Sequence, residues 1–272
     1  MSDAASRSAA FRALHVPGTP LLMPNAWDRG SARLFASLGI EALATTSGGF
    51  AATRGQLDGS MSRDEVLAHV ADLVGATELP VSADLENCFA HDPDGVAATI
   101  TEAVAAGVAG GSVEDFSGDP EQPIYELAHA ADRVRAAAEA AHGGTHSIVL
   151  TARAENYLHG RVDLADTIAR LQAYQEAGAD VLFAPRVVSP DEVRQVIASV
   201  DVPVSVLITP DAPPVPELAG LGVSRISVGG AIAVAAYGAA LHAVTELQEK
   251  GTADYWGLAK AARAAIESSF TR

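Results

Sequence analysis

Short apolar runs alternate along the chain with longer segments in which apolar and polar residues follow a helical period. Most of the runs are rich in β-branched residues and are followed by small or polar residues, which is typical of buried parallel strands. Eight runs are predicted as strands, at residues 21–24, 42–46, 81–85, 111–114, 148–152, 181–184, 204–208 and 226–228.

The segments between these runs have the spacing of amphipathic helices. Val96, Ile100 and Val104 repeat every four residues, and Gly107 stands where that helix is expected to end, just before the next strand. Eight β/α units in one chain predict an α/β fold, a closed (β/α)8 TIM barrel, over residues 1–250. An open, doubly wound sheet is the alternative, although the first strand lacks the GxGxxG sequence of a dinucleotide-binding fold.

Residues 251–272 are predicted to form a C-terminal helical extension. Leu258, Ala262 and Ile266 share one face of this helix. That apolar face has no obvious place on a barrel already surrounded by eight helices. We therefore expect the helix to be exchanged between the subunits of a homo-oligomer, a dimer or a tetramer, with Trp256 as its anchor.

Composition and charge narrow the classes of function. The 272-residue chain carries 18 Lys and Arg against 34 Asp and Glu, a formal net charge of −16, which disfavours binding to nucleic acids and to anionic membranes. A single cysteine, Cys88, excludes an intrachain disulfide, and residues 1–12 lack the apolar core of a signal peptide, so a cytoplasmic protein is expected. The same acidity means that a small anionic substrate needs a local cation.

Acidic residues end two successive predicted strands. Because side chains alternate along a strand, Asp84 and Glu86 are expected to face inward with Ser82, and Glu114 to face inward on the next strand. Converging carboxylates need protons or a cation, because an unpaired buried charge is costly. Oxygen ligands without His or Cys favour Mg²⁺ or Mn²⁺ over zinc. The alternative is that these acids cap helices or pair with arginine.

Arg153 is a candidate for binding an anionic substrate. It shares the inward face of the fifth predicted strand with Thr151, where a guanidinium can hold a carboxylate or phosphonate through two hydrogen bonds. The alternative is a structural ion pair with Glu155 or with one of the site acids. After the second predicted strand, the sequence Ser-Gly-Gly at 47–49 predicts a turn with N–H groups free to bind an anion.

Other features restrict the chemistry. Lys250 and Lys260 are the only lysines, and both lie in the C-terminal region, so Schiff-base chemistry in the barrel mouth is nearly excluded. The sequence Ser-Val-Gly-Gly at 227–230 could bind phosphate, but close packing against the following helix is favoured. Cys88 is interpreted as a small filler or a loop thiol.

Six short motifs occur in an order that is specific as a combination. They are Pro24-Asn25-Ala26-Trp27-Asp28, Thr45-Thr46-Ser47-Gly48-Gly49, Leu57-Asp58-Gly59, Ala83-Asp84-Leu85-Glu86, Val113-Glu114-Asp115 and Thr151-Ala152-Arg153. Over about residues 21–243 the chain resembles the isocitrate lyase/phosphoenolpyruvate mutase superfamily, in its phosphoenolpyruvate mutase-like and 2-methylisocitrate lyase-like branch. The resemblance implies a (β/α)8 barrel, usually a tetramer built from two dimers whose subunits exchange a C-terminal helix. It also implies chemistry on C–C or P–C bonds beside the carbonyl group of a 2-oxo acid.

The resemblance further implies roles for individual residues in holding a metal. Asp84 corresponds to the direct Mg²⁺ ligand of the superfamily. Asp58, Glu86 and Glu114 correspond to the groups that hold metal-bound waters, and Asp58 is also expected to take part in catalysis.

The substrate site that the resemblance implies lies beside this metal. Ser47 and Gly48 correspond to the donors to the carboxylate and carbonyl oxygens of the substrate, and Gly49 and Trp27 are expected to complete that site. Arg153 corresponds to the arginine that grips the substrate anion. Ser47 and Arg153 are therefore also expected to be catalytic.

The loops that define individual reactions depart from the superfamily. Isocitrate and 2-methylisocitrate lyases carry Lys-(Lys/Arg)-Cys-Gly-His after the fourth strand, and the mutases carry Lys and Asn in the gating loop. Here residues 116–123 read Phe-Ser-Gly-Asp-Pro-Glu-Gln-Pro. Ala184-Pro185-Arg186 stands where the lyases have a glutamate, and Ser205 replaces an asparagine found in many members.

These departures leave the metal and oxo-acid site intact and change the expected specificity. The expected function is Mg²⁺-dependent (or Mn²⁺-dependent) cleavage of a C–C bond in a small, anionic 2-oxo dicarboxylate such as oxaloacetate, through an enolate of pyruvate. P–C bond chemistry on a phosphonopyruvate-like substrate is one alternative. A barrel that binds an oxo acid without turning it over is the other.

Overall fold

A computed structural model of the chain describes residues 3–144 and 146–270. Its centre is a sheet of parallel strands. The strands are β1 Leu21–Met23, β2 Asn25–Ala26, β3 Leu43–Thr45, β4 Val81–Ala83, β5 Gly110–Glu114, β6 Val149–Arg153, β7 Val181–Phe183, β8 Val204–Leu207 and β9 Arg225–Ser227. Each strand from β2 to β8 pairs with the next along the chain, and β1 pairs with β9. Each of the eight runs predicted from the hydrophobic pattern contains strand residues.

The sheet is closed into a barrel by β1, which covers most of the first predicted run at 21–24, and by β2, which follows that run; Pro24 separates the two strands. β1 pairs with β9, and β2 pairs with β3 on the other side. Proline has no N–H to donate to a ladder, which explains the division at this residue. Asn25 reinforces the closure, because its side chain donates to the Thr45 carbonyl oxygen at 2.7 Å and accepts from the Val228 N–H at 3.1 Å. The closed (β/α)8 barrel is therefore confirmed and the open sheet is wrong.

Helices separate most of the strands. They are α1 Ala4–Ala13, α2 Arg29–Ala36, α3 Ser47–Thr53, α4 Arg63–Val74, α5 Pro93–Ala105, α6 Leu127–Gly143, α7 Leu164–Glu176, α8 Pro190–Ala198, α9 Val215–Gly220, α10 Ala231–Lys250 and α11 Trp256–Phe270. The predicted end of α5 is confirmed, because Ala106 caps the helix and Gly107 follows with φ +86°. A positive φ is accessible to glycine without the steric cost that a Cβ imposes.

The lower end of the barrel, where the strands begin, is filled by α1. Phe11 is fully buried and packs in a cluster with Leu21, Val149 and Val181 from three strands. Gly110 allows this approach, because a Cβ at that position would lie 2.6 Å from the Phe11 ring. The barrel is consequently closed at its floor, and side chains that lie above this plug can be reached only from the opposite end.

The two C-terminal helices leave apolar side chains in solvent. Leu241 on α10 is 69% exposed and Leu258 on α11 is 66% exposed. α11 contacts the barrel mainly at α2, where Phe270 lies beside Gly30. The extra C-terminal helix is thus confirmed, and its exchange between subunits stays a prediction. Within residues 3–144 and 146–270, the structure contains no helix that combines the length and apolar character needed to cross a membrane.

Candidate active site

The guanidinium of Arg153 joins three carboxylates at the end of the barrel opposite the plug. Its Nη1 lies 2.9 Å from Asp84 Oδ1, its Nη2 lies 3.1 Å from Glu114 Oε2, and its Nε lies 2.8 Å from Glu155 Oε1. β5 and β6 pair in register at Glu114 and Arg153, so these two side chains start from neighbouring positions. The pairing of Arg153 with Glu155 and with site acids, which was the alternative interpretation of the sequence, is present in the structure.

Burial makes this cluster electrostatically strong. The side chains of Arg153, Asp84, Glu114 and Glu155 are 16%, 18%, 9% and 1% exposed. Burial alone would lower the pKa of Arg153, but Glu155, Glu114 and Asp84 raise it well above its ordinary value. Burial raises the pKa of Glu114, and Arg153 opposes that rise. The guanidinium therefore stays charged and neutralises part of an acidic site.

A second layer of buried groups holds Glu155 in place. Its N–H donates to Asp115 Oδ1 at 2.8 Å, and the other carboxylate oxygen of Asp115 accepts from Tyr174 and from Arg170. Asp115 is 2% exposed. A buried carboxylate with this many donors keeps a single orientation, which in turn orients the residues bonded to it. Sequence reasoning missed Asp115 as a supporting residue because its partners lie 40 or more residues away along the chain.

Ser47 begins a helix instead of lying in a turn. Thr46 caps α3 by accepting from the Gly49 N–H at 3.3 Å. The N–H and the hydroxyl of Ser47 both donate to Asp84 Oδ2 at 3.1 Å. Ser47 therefore lies beside the acid predicted to bind the metal, and its donors are directed at that acid in the structure described.

Glu86 lies at the mouth of the site in a strained segment. The structure ends β4 at Ala83, two residues before the predicted end, and Glu86, Cys88 and Phe89 have φ of 51°, 58° and 55°. Such left-handed conformations are costly for residues other than glycine and cluster at functional sites. Glu86 Oε1 is buried and has no hydrogen-bond partner among the described residues. Glu86 thus reaches the site through a loop, not through the alternation of a strand.

Burial and neighbouring carboxylates shift the pKa of Glu86. Burial, followed by the carboxylates of Asp84 and Asp58, raises the pKa of Glu86 to about 7. Asp58 also lies close to the turn of α3, because a Cβ placed on Gly48 would be 3.1 Å from Asp58 Oδ2. The structure therefore brings Asp58, Asp84 and Glu86 into one electrostatic neighbourhood. An unpaired buried oxygen within it favours a proton or a cation.

The donor set fits a hard divalent cation that keeps most of its water. No group of three or more His, Cys, Asp or Glu side chains within residues 3–144 and 146–270 is arranged to enclose a metal. Mg²⁺ does not need such a group, because it commonly binds through one or two carboxylates and retains several waters. The unpartnered Glu86 oxygen and the all-oxygen donor set are consistent with that mode of binding.

Two predicted substrate residues lie beside the cluster in packing roles. A Cβ on Gly49 would lie 2.6 Å from Thr46 Cγ2 and 2.9 Å from Trp27 Cβ, so glycine is needed for close packing here. Trp27 packs edge-to-face on Phe35, with ring centroids 5.7 Å apart. Neither residue is among those that line the cavity described next. Their contact with a substrate stays a prediction.

A cavity of about 130 Å³ runs from this cluster into the barrel. Asp84 and Arg153 lie on its wall, and Phe183, Leu158 and Leu207 supply apolar surface. The wall also includes Arg225, which sequence reasoning missed, together with Ser227 and Gly229 from the sequence at 227–230. A small cavity with apolar walls and a few charged groups is typical of a site for a small acid.

Comparisons with known proteins agree with this geometry. A family model described as phosphoenolpyruvate phosphomutase matches residues 11–248 of the chain. A crystal structure from Burkholderia cenocepacia J2315, provisionally described as a lyase/mutase, has a TM-score of 0.94 and 50% identity, and the match covers 99% of this chain and 97% of that one. The chain is 31% identical to the 2-methylisocitrate lyase of Escherichia coli K12 over 75% of this chain and 70% of that protein. It is also 31% identical to the oxaloacetate decarboxylase of Chromohalobacter salexigens, over 86% and 81%.

The raised pKa of Glu86 predicts a specific dependence of stability on pH. The pKa is about 7 in the fold against an ordinary 4.5, so the fold prefers the protonated acid. The stability that protonated Glu86 contributes to the fold is complete below pH 4.5 and is lost as the pH rises through 7. In metal-free buffer, the melting temperature of Glu86→Gln should therefore rise relative to that of the natural protein as the pH increases from 5 to 8. Glu121→Gln, which changes an exposed loop acid, is the control; equal pH slopes for the natural protein and Glu86→Gln would contradict the assignment.

Proposed function

The chain belongs to the phosphoenolpyruvate phosphomutase family, and its relatives include lyases. We propose that it cleaves the bond between C3 and C4 of a small 2-oxo dicarboxylate, one carbon removed from the carbonyl group. Oxaloacetate is the simplest such substrate. The observation that carries the proposal is the cluster of Arg153 with Asp84, Glu114 and Glu155 at the mouth of a cavity of about 130 Å³. The similarity to an oxaloacetate decarboxylase supports the choice of substrate.

The proposed cofactor is Mg²⁺, with Mn²⁺ as a substitute. Asp84 is the residue that would bind it directly, and Asp58, Glu86 and Glu114 would hold its waters. The unpartnered oxygen of Glu86 supports a cation at this position. When bound, the ion supplies Lewis-acid stabilisation of negative charge on the carbonyl oxygen of the substrate.

The residues of the chain then bind and orient the substrate. The Ser47 N–H lies beside Asp84, and Gly48 lies beside Asp58. The backbone N–H groups of both residues would donate to the substrate oxygens. Arg153 holds the acids in position and has N–H groups left for the substrate, since a guanidinium carries five. When the C3–C4 bond of oxaloacetate breaks, its electron pair enters an enolate of pyruvate and CO₂ leaves. Donors that are already in place stabilise this charge without having to reorganise.

P–C chemistry on a phosphonopyruvate-like substrate is the second candidate, because the family model is that of a phosphomutase. Residues 116–123 weigh against it, since they contain neither the lysine nor the asparagine expected in that loop. The same segment contains no cysteine or histidine, which disfavours 2-methylisocitrate as the substrate. A barrel that binds an oxo acid without turnover is the third candidate.

We also propose that the protein is a homo-oligomer in which α11 packs on a second subunit. Three observations support this proposal. α11 contacts its own barrel mainly at α2, Leu258 and Trp256 on α11 are 66% and 55% exposed, and α10 also exposes Leu241 and Val234. Apolar surface of this extent is typical of an interface. The two-domain description, a barrel over 1–250 and an extension over 251–272, rests on the same proposal.

The metal assignment predicts the effect of substitutions at Asp84. Asp84→Asn should lose Mg²⁺ binding measured by titration calorimetry, because it removes the charge of the direct ligand. Glu86→Gln and Glu114→Gln should weaken binding without abolishing it. Asp94→Asn, which changes an exposed acid in the first turn of α5, is the control. Unchanged Mg²⁺ affinity in Asp84→Asn would show that the metal lies elsewhere.

The reaction is tested by pyruvate release from oxaloacetate and from phosphonopyruvate, each with Mg²⁺ and with EDTA. We expect oxaloacetate to be cleaved faster than by Mg²⁺ alone, and EDTA to abolish this activity. Arg153→Lys should lower the rate of pyruvate release about 10²-fold, because an ammonium group cannot hold three carboxylates in one plane. Arg161→Lys, on the exposed loop after β6, should be unaffected. Turnover of phosphonopyruvate alone would select the second candidate. Turnover of neither, together with no binding of oxalate, would reject the mechanism.

The assembly proposal predicts that one exposed leucine matters more than an equally exposed apolar residue elsewhere. Leu258→Asp should lower the particle mass measured by light scattering, because a charge on α11 opposes burial of its face. Val162→Asp, at a position that is 70% exposed in a loop, is the matched control. An unchanged mass for Leu258→Asp, and for a chain that ends at residue 251, would contradict the exchange of α11.

A further inference from the structure

A second arginine lies inside the barrel without a carboxylate partner. Arg225, on β9, is 4% exposed. Its Nε donates to Ser205 Oγ at 3.0 Å, and its Nη1 donates to Thr151 Oγ1 at 3.0 Å and lies 3.4 Å from His15 Nε2. Within residues 3–144 and 146–270, no acid forms an ion pair with Arg225, and its Nη2 has no hydrogen-bond partner.

The other buried arginines of the described residues are held by acids or by backbone carbonyl oxygens. Arg153 pairs with three acids, Arg170 pairs with Asp115 and Asp166, and Arg133 donates to three backbone carbonyl oxygens. The neighbours of Arg225 are two hydroxyls and an imidazole, which carry no negative charge. An unpaired buried charge is costly unless something neutralises it. Arg225 shares the lack of an acid partner with Arg133, but Arg225 lines the cavity and Arg133 does not.

The imidazole beside Arg225 does not supply that counter-charge. Burial, and then the charge of Arg225, lowers the pKa of His15 to about 3, so the ring is neutral. His15 Nδ1 lies 2.9 Å from the Phe11 carbonyl oxygen, which assigns the ring proton to Nδ1 and leaves Nε2 as an acceptor. Burial, followed by the charge of Arg153, lowers the pKa of Arg225 to about 9, and the guanidinium remains charged at neutral pH.

Arg225 faces the cavity that begins at the cluster of Arg153. Both arginines line it, and Thr151, the partner of Arg225, precedes Arg153 by two residues on β6. Two residues along a strand correspond to about 7 Å, so the partner of Arg225 lies one layer of side chains below Arg153. When a ligand binds at the mouth through one acidic group, its other end therefore points toward the unpaired cation of Arg225, deeper in the cavity.

We propose that Arg225, with Thr151 and Ser205, forms a second anion subsite inside the barrel, which binds the far carboxylate of a dicarboxylic substrate. This inference rests on the proposed function for the substrate class. Each nitrogen of the Arg153 guanidinium already contacts one acid of the site. No acid contacts the guanidinium of Arg225 among the described residues. A carboxylate suits this guanidinium because it can accept from it through two parallel hydrogen bonds.

The test compares two ligands that differ by one carboxylate. L-malate is lactate with a carboxylate in place of a methyl hydrogen, and binding of each is measured by calorimetry with Mg²⁺ present. We expect the natural protein to prefer malate. Arg225→Met should weaken malate binding about 10- to 100-fold, the range for a hydrogen bond to a charged group, and leave lactate within about twofold. Arg225→Lys should lie between them. Arg194→Met, an exposed change of the same charge on α8, should alter neither affinity.

Stability separates a binding role from a structural one. Arg225→Met removes an uncompensated buried charge and should not lower the melting temperature in anion-poor buffer. Equal weakening for malate and lactate together with a lower melting temperature would mark Arg225 as structural and overturn the proposal. Stabilisation by acetate or chloride through Arg225, without a preference for malate, would overturn the assignment to the substrate. Failure of the pyruvate assay leaves these binding results intact, so the two failures are distinguishable.

Discussion

The contact on which the candidate site depends is the guanidinium of Arg153 among three carboxylates. β4, β5 and β6 end side by side, so acids that follow them are brought together by the barrel itself. Without a cation between them, Asp84, Glu114 and Glu155 would repel one another at low exposure, and at least one would be protonated. Arg153 lies between them at 2.8–3.1 Å and offers planar donors to all three. Arg153 thereby holds the three acids in one arrangement.

The orientation of Arg153 is itself determined from outside the barrel. Glu155 receives its position from Asp115, which follows the end of β5 in sequence and lies under α7. Tyr174 and Arg170 on α7 both donate to Asp115, and all three residues are buried. A chain of bonds therefore runs from the surrounding helix, through two carboxylates, to the guanidinium. Such networks restrict the conformations of a site because each buried polar group has little freedom to choose another partner.

The alternation of side chains along strands was enough to place Asp84, Glu114 and Arg153 in one neighbourhood, because that rule is local and depends only on the backbone. It failed at Glu86, where the strand ends at Ala83 and the backbone turns into the left-handed region. Side chains alternate between the two faces only while the backbone stays in the strand, so the alternation predicts nothing beyond the last residue of β4. The helix that begins at Ser47 was also missed, because rules based on neighbouring residues predict a turn where two glycines stand in succession.

Other features required contacts between distant parts of the chain. The break between β1 and β2 at Pro24 follows from proline chemistry, but the pairing of β1 with β9 and of β2 with β3 is decided by closure of the whole barrel. Arg225 is similar: its partners are Ser205, Thr151 and His15, from 20 to 210 residues away. An arginine at the start of a strand ordinarily suggests a surface charge. Only the closed barrel shows that it points inward.

The two arginines together answer the problem that the acidity of the chain creates. A protein with a net charge of −16 repels a small anion at long range, and screening by salt removes much of that repulsion beyond about 8 Å. Recognition must then come from cations inside the cavity, where the dielectric constant is lower and each charge has more effect. Arg153 is largely committed to the acids around it, and Arg225 is not. If Arg225 binds a second carboxylate as proposed, the cavity distinguishes ligands by their number of negative charges more than by their size.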